Sequence, residues 1–254
     1  MLIDTHAHIY AKEFDDDRSI VLRRAIDEGV EKIFIPNVDR ESILPLLDVV
    51  DQNPEVCFPM IGIHPTSVKA DYHAELDMVE SWLAKRKFIA LGEIGMDLYW
   101  DKTFIEEQKL VFAQQIKWAE QYELPIAIHN RDAFNETMEV LRANHFSGLK
   151  GVFHSFSGTV EEAQEIIELG FKLGVSGVVT FKNAGMDKVI AQIPVEHFVL
   201  ETDAPYLTPV PYRGKRNESA YAPLIAQKIA ELHQIDINTV SEITTANALN
   251  TFAL

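Results

Sequence analysis

The chain has 254 residues, 47% of them apolar, enough for a substantial core and a length at which α/β barrels run as one unit. Its formal net charge of −16 excludes broad docking on a nucleic-acid backbone, which demands a basic footprint, but leaves room for a small site where metal and a few cations handle one phosphate. The lone cysteine, Cys57, excludes an internal disulfide, and no run approaches the roughly 18 apolar residues of a membrane span.

The N-terminus lacks the cationic and apolar segments of a signal peptide, so a cytoplasmic protein is expected, with no membrane and no obligate protein partner. In chain order, apolar, β-rich runs fall at Leu2–His6, Lys32–Pro36, Cys57–Gly62, Phe88–Gly92, Pro125–His129, Gly151–His154, Phe171–Val175 and Phe198–Thr202. Amphipathic stretches separate most of them. One runs from about Ser19 to Glu28 and is closed by Gly29. Thr103-Phe-Ile-Glu106 reads as a capping box that opens a long helix through Trp118 to Tyr122. Thr159-Val-Glu-Glu162 opens another, which stops at Gly170, and Thr239-Val-Ser-Glu242 opens the last. Strands alternating with helices imply right-handed βαβ units on a parallel sheet. Eight such units predict an α/β fold closed into a (β/α)8 TIM barrel, one domain over residues 1–254, with a doubly wound open sheet as the alternative.

What stands at the strand ends carries the chemistry. The first predicted strand ends in His6-Ala7-His8, the fourth in Gly92-Glu93, the fifth in His129, the sixth in His154 and the last in Glu201-Thr202-Asp203. Strand alternation points Asp4, His6 and His8 one way. Alone, the His-x-His pair also fits two histidines satisfied at a polar strand end. In a barrel, however, all these ends share the rim where active sites lie. Core packing does not account for ionisable groups there, because buried carboxylates and imidazoles are costly unless paired or metal-bound. Four imidazoles and two carboxylates exceed one tetrahedral site and suit two divalent ions sharing a bridge. Glu93 is the natural bridge, with Gly92 leaving room for close approach. Asp203 is a ligand that also accepts a proton from water, and Glu201 orients a ligand histidine. His73, His145, His197 and His233 lie in helices or polar connections and read as surface residues.

These residues sit in a series of motifs: DTHAH (4–8), GIHP (62–65), GEIGMDLYW (92–100), PIAIHNRDA (125–133), FHSFSG (153–158), LETDAPYLTP (200–209), YRGKRNE (212–218) and TANALNTF (245–252). In that order, over essentially the whole chain, the sequence resembles the TatD-related deoxyribonucleases, metal-dependent hydrolases of the amidohydrolase superfamily. The resemblance implies a (β/α)8 barrel with His6, His8 and Asp203 around one metal, His129 and His154 on the other, and Glu93 bridging. It departs at Ser219, where Pro is common, and at Asn130, where Ser or Cys often follows the histidine.

The expected activity is hydrolysis of ester bonds, most concretely a phosphodiester at a DNA end in the manner of a 3′–5′ exonuclease. The catalytic residues would be Asp203 and Glu93, and the cofactors two divalent ions drawn from Zn, Mn, Mg, Co or Ni. His64 and Arg131 are candidate phosphate contacts, and Arg213 belongs to the one dense basic cluster, with Lys215 and Arg216. DNA ends or a small phosphate ester are the expected substrates; the acidic composition favours short, frayed or single-stranded ends entering a local pocket over a grip on long duplex, with weak, strongly salt-dependent binding to long DNA. The same chemistry can open a cyclic amide, a lactone or a phosphotriester. A non-catalytic protein holding a structural metal is the third reading.

Overall fold

Each apolar run becomes a strand of one parallel sheet in the computed structural model, which describes all 254 residues. The strands are β1 (Leu2–Asp4), β2 (Val30–Pro36), β3 (Cys57–Ile61), β4 (Ala90–Asp97), β5 (Ile126–Arg131), β6 (Gly151–Phe153), β7 (Lys172–Val175) and β8 (Phe198–Leu200). They pair in sequence order, β1 to β8. Between them run α1 (Arg18–Asp27), α2 (Ile43–Gln52), α3 (Tyr72–Leu83), α4 (Ile105–Gln121), α5 (Phe134–Ala143), α6 (Val160–Glu168) and α7 (Met186–Ile190). After β8 come α8 (Ala222–His233) and α9 (Ile237–Phe252). This is a (β/α)8 barrel, not an open doubly wound sheet. None of its helices is long and apolar enough to cross a membrane.

The β1–β8 seam closes just past the strand ends. The amide of Thr5 donates to the Leu200 carbonyl (2.9 Å), that of Asp203 to His6 (2.8 Å) and that of His8 to Ala204 (2.7 Å). Asp4 does not face the site with His6 and His8. β1 stops at Asp4, so the strand alternation that would align the three does not continue. The fully buried Asp4 carboxylate instead accepts from the Thr202 amide (2.9 Å) and hydroxyl (2.6 Å) across the seam. Desolvation raises its pKa to about 6, opposed by these hydrogen bonds.

Inside the barrel, Ile3, Phe34, Met60, Ala90, Ala127, Val152 and Val199 form one apolar layer. Ala248 and Phe252 of α9 join it, the Phe252 ring 4.7 Å from that of Phe34, so the last helix plugs the barrel floor. A larger apolar cluster fills the space between strands and helices. It takes in Val21, Leu22 and Ala25 from α1 and Val111, Phe112 and Ile116 from α4, the inward stripes of amphipathic helices.

The helix signals divide. Gly29 and Gly170 take left-handed φ of 82° and 88° just past α1 and α6, as a C-terminal stop requires. Thr159 and Glu162 form a complete reciprocal capping box. Thr103 does not: α4 begins at Ile105 after Phe104, and Thr103 lies in a turn whose amide donates to Asp101. The last helix starts at Ile237, one turn early, capped by Asp236 accepting from the Asn238 amide.

Candidate metal centre

Glu93 lies within β4, which runs on to Asp97, four residues past its bridge position. Gly92 before it is required by β5: a Cβ there would come 2.7 Å from the Cβ of Ala127. The glycine therefore serves strand packing, not room at the carboxylate as the sequence suggested. Around Glu93 the structure gathers His6, His8, His64, His129, His154 and Asp203. Oε2 lies 3.1 Å from Nε2 of His6 and 3.6 Å from Nε2 of His8. Oε1 lies 2.7 Å from Nδ1 of His129, 3.4 Å from Nε2 of His64 and 3.6 Å from Nε2 of His154. Oδ1 of Asp203 is 3.5 Å from His8 and 3.9 Å from both His6 and His154. One carboxylate thus faces two groups of donors with its two oxygens.

The outer ring nitrogens decide what the inner ones can do, since a partner outside fixes the tautomer inside. Nε2 of His129 donates to Oδ2 of Asp97 (2.9 Å), leaving its Nδ1 lone pair facing the centre. Nδ1 of His154 is 2.9 Å from Oε1 of Glu201, within ion-pair distance though off the line of a hydrogen bond. Glu201 thus stands beside His154, one of the histidines expected from the sequence to ligate a metal. Gly174 makes this approach possible, because a Cβ there would lie 2.2 Å from a Glu201 oxygen. Nδ1 of His8 meets the Tyr10 hydroxyl at 3.2 Å, and Nδ1 of His6 is buried without a partner.

His64 is wired the other way. Its Nδ1 accepts from the Thr66 amide (3.1 Å), so the ring proton sits on Nε2 and points inward, toward Nδ1 of His129 at 3.2 Å. His64, Glu93 and His129 lie close enough to share an ion. The tautomer, however, makes His64 a hydrogen-bond donor into the site, whereas the other four imidazoles can present lone pairs.

The electrostatics fit a divalent cation. Four carboxylates gather here, Glu93 and Asp203 among the imidazoles and Asp97 and Glu201 against the outer ring nitrogens of His129 and His154. Burial pushes Glu93 up, but the imidazoles that surround it hold it well below the usual carboxylate range. Burial likewise opposes the ionised Asp203, which His154 and His8 overcome. Burial depresses His154 and the neighbouring carboxylates, Glu201 first, more than reverse it. Burial lowers His6 and His64, whereas neighbouring carboxylates raise His129 and His154, so in the absence of metal these two imidazoles carry the positive charge that faces the carboxylates. A bound dication supplies it with the same donor atoms deprotonated. Imidazole nitrogens and carboxylate oxygens lying within 4.8 Å of one another are a donor set able to hold a divalent metal ion.

The centre forms the floor of a cavity of about 550 Å³ lined also by Tyr10, Trp100, Arg131, Tyr206 and Leu207. Arg131 is therefore at the site. Arg213 is not: its guanidinium lies on the Phe181 ring at 3.6 Å, away from the cavity. Arg216 is held bidentately by Asp17 (2.8 Å to each oxygen), so the basic loop after β8 is partly spent on fixing itself to the segment before α1. His73, His145, His197 and His233 stay outside the cavity. Asp97 and Tyr10 went unread in the sequence. Asp97 was legible by parity, since Glu93, Gly95 and Asp97 alternate along β4, but the predicted strand ended at Gly92.

Barrel, rim and donor set together define a metal-dependent hydrolase. The model of the family described as TatD related DNase matches residues 3–253, and the chain belongs to that family. An uncharacterized metal-dependent hydrolase of Bacillus subtilis, YabD, is 38% identical over 255 residues, covering 100% of both chains. The crystal structure of the Escherichia coli TatD homologue YjjV superposes with a TM-score of 0.93 at 29% identity, over 100% of this chain and 98% of that one. A Listeria monocytogenes lactonase shares the fold, with a TM-score of 0.68 at 12% identity, over 99% of this chain and 94% of that one.

Proposed function

We propose that this hydrolase is a deoxyribonuclease acting on phosphodiester bonds at DNA ends, 3′–5′ exonuclease-like, in which Glu93 would stand between two groups of donors that would hold two divalent ions. The observation that carries the dinuclear reading is the division of donors between the two Glu93 oxygens, with His6 and His8 on one and His129 and His154 on the other. Asp203 completes the first group. Bound there, divalent ions would act as Lewis acids toward a phosphoryl oxygen and would lower the pKa of an attacking water.

The protein's own groups account for the rest. Asp203 reaches the cavity as a carboxylate and takes the proton of the attacking water. The inward Nε2–H of His64 and the guanidinium of Arg131 donate to phosphate oxygens, holding the ester and meeting the charge that develops on it. These donors favour an anionic phosphate over a neutral lactone or cyclic amide. A cytoplasmic setting accompanies this reading, since the single buried Cys57 needs no oxidising compartment.

The test is digestion of 3′- and 5′-labelled single- and double-stranded DNA with Zn, Mn, Mg, Co or Ni added after chelation. Shortening from one labelled end is expected, abolished by chelator and by Glu93→Ala. Turnover of a lactone panel with intact DNA would replace this reading by the other hydrolase chemistry.

A further inference from the structure

Directly after β4 the chain exposes two neighbouring aromatic rings to solvent, although the same segment closes the metal centre. Trp100 is 68% and Tyr99 52% exposed. Their rings meet edge to face at 4.9 Å, and the Arg131 guanidinium lies 3.9 Å from the centre of Tyr99 and 5.2 Å from that of Trp100. Arg131 has no ion-pair partner in a chain with 39 acidic and 23 basic residues. The segment is built, not loose. Oδ1 of Asp97 accepts from the amides of Tyr99 (3.0 Å) and Trp100 (3.1 Å), while its Oδ2 accepts from His129. One carboxylate therefore fixes the aromatic pair relative to a metal-site histidine. Trp100 and Arg131 line the same cavity as Glu93 and Asp203.

An exposed indole and a free cation, held at the wall of a phosphate-binding cavity, call for a ligand that joins a flat π-face to an anion. We infer that Tyr99, Trp100 and Arg131 form a stacking platform for the unpaired terminal base of a single-stranded nucleic-acid end, placing the adjoining phosphodiester over the metal centre. The inference rests on the phosphodiester reading above and sharpens it to substrate form. A base inside a duplex is paired and stacked on its neighbours, so its face is available only at a frayed or single-stranded end. Stacking on aromatic rings tolerates any base, because every base has a π-face.

The experiment crosses two substrates with three proteins. Metal-loaded wild type, Trp100→Ala and Trp100→Phe are given a single-stranded oligonucleotide carrying a normal base at the degraded end, or the same strand with an abasic residue there. Trp100→Ala should raise KM about ten-fold on the normal end, at the lower part of the range for one stacked base, with kcat nearly unchanged. Trp100→Phe should restore most of that loss. On the abasic end, wild type and Trp100→Ala should behave alike. An unchanged KM on the normal end, or an equal loss on both ends, overturns the platform. Tryptophan fluorescence separates this from failure of the reaction assignment. Titration with thymidine monophosphate should quench wild type but not Trp100→Phe, whose remaining indoles are the half-buried Trp82 and the buried Trp118. Quenching in a protein that cuts no DNA would keep the platform and remove the nuclease reading. DNA cleavage with neither quenching nor a KM effect would do the reverse.

Discussion

Five imidazoles crowd the barrel mouth, and the position of one proton separates them. His64 is held by the Thr66 amide as a donor, whereas His129 is held by Asp97 as an acceptor facing inward. His64→Ala is therefore expected to retain its metal while kcat/KM on DNA falls roughly 10²- to 10³-fold, the size of losing one donor to developing charge. His129→Ala should lose bound metal along with activity. Metal analysis after dialysis, run beside the digestion assay, checks this; parallel loss of metal and activity in His64→Ala would make His64 a ligand. At this scale the sequence was informative where chemistry is out of place. Imidazoles and carboxylates closing apolar runs are costly unless used, which exposed His6, His8, Glu93, His129, His154 and Asp203. Arg213 misled because its partner, Phe181, comes from a different loop, and no local pattern announces a stacking contact across such a separation.

Elements were legible where a signal depends only on its neighbours along the chain. The same Thr-x-x-Glu pattern stands before α4 and α6, but only Thr159 makes both bonds of the box. At Thr103 the nearby Asp101 carboxylate takes the backbone amide first, and the turn it makes ends the competition for a cap. Thr159→Ala should cost about 1 kcal/mol of stability, while Thr103→Ala should stay within about 0.5 kcal/mol, since it removes no helix cap. Urea unfolding of the two variants measures the difference, and equal losses would contradict it. β4 was underread for a related reason. Glycines at 92 and 95 look like a strand end, yet they are there because β5 presses close: a Cβ at Gly95 would collide with the His129 carbonyl. What seemed a boundary is the tightest strand contact beside the site, and it hid Asp97.

For the whole molecule, the proposed deoxyribonuclease activity meets a charge of −16, which sets how DNA could be held. A basic loop of Arg213, Lys215 and Arg216, if all three met phosphates, would add about 2 to the salt slope, at about 0.7 for each phosphate neutralised on a single strand. The structure removes most of that footprint. Arg216 is paired with Asp17, Arg213 lies on Phe181 outside the cavity, and Arg131 alone among the candidate arginines lines it. The strong salt dependence expected from the sequence should therefore be replaced by a shallow one, because few condensed counterions are released and added salt also screens repulsion from the acidic surface. For a short single-stranded end, log K against log salt should fall with a slope of about −1 to −2, and long duplex should bind more weakly than the single strand. Fluorescence anisotropy at several salt concentrations, using Glu93→Ala to prevent cleavage, measures both. A slope of about −3 or steeper would reveal the basic loop engaged along the DNA as well as Arg131 and would move recognition from the cavity to the outside of the barrel. A shallow slope together with a preference for unpaired ends would leave the cavity itself as the place where the substrate is selected.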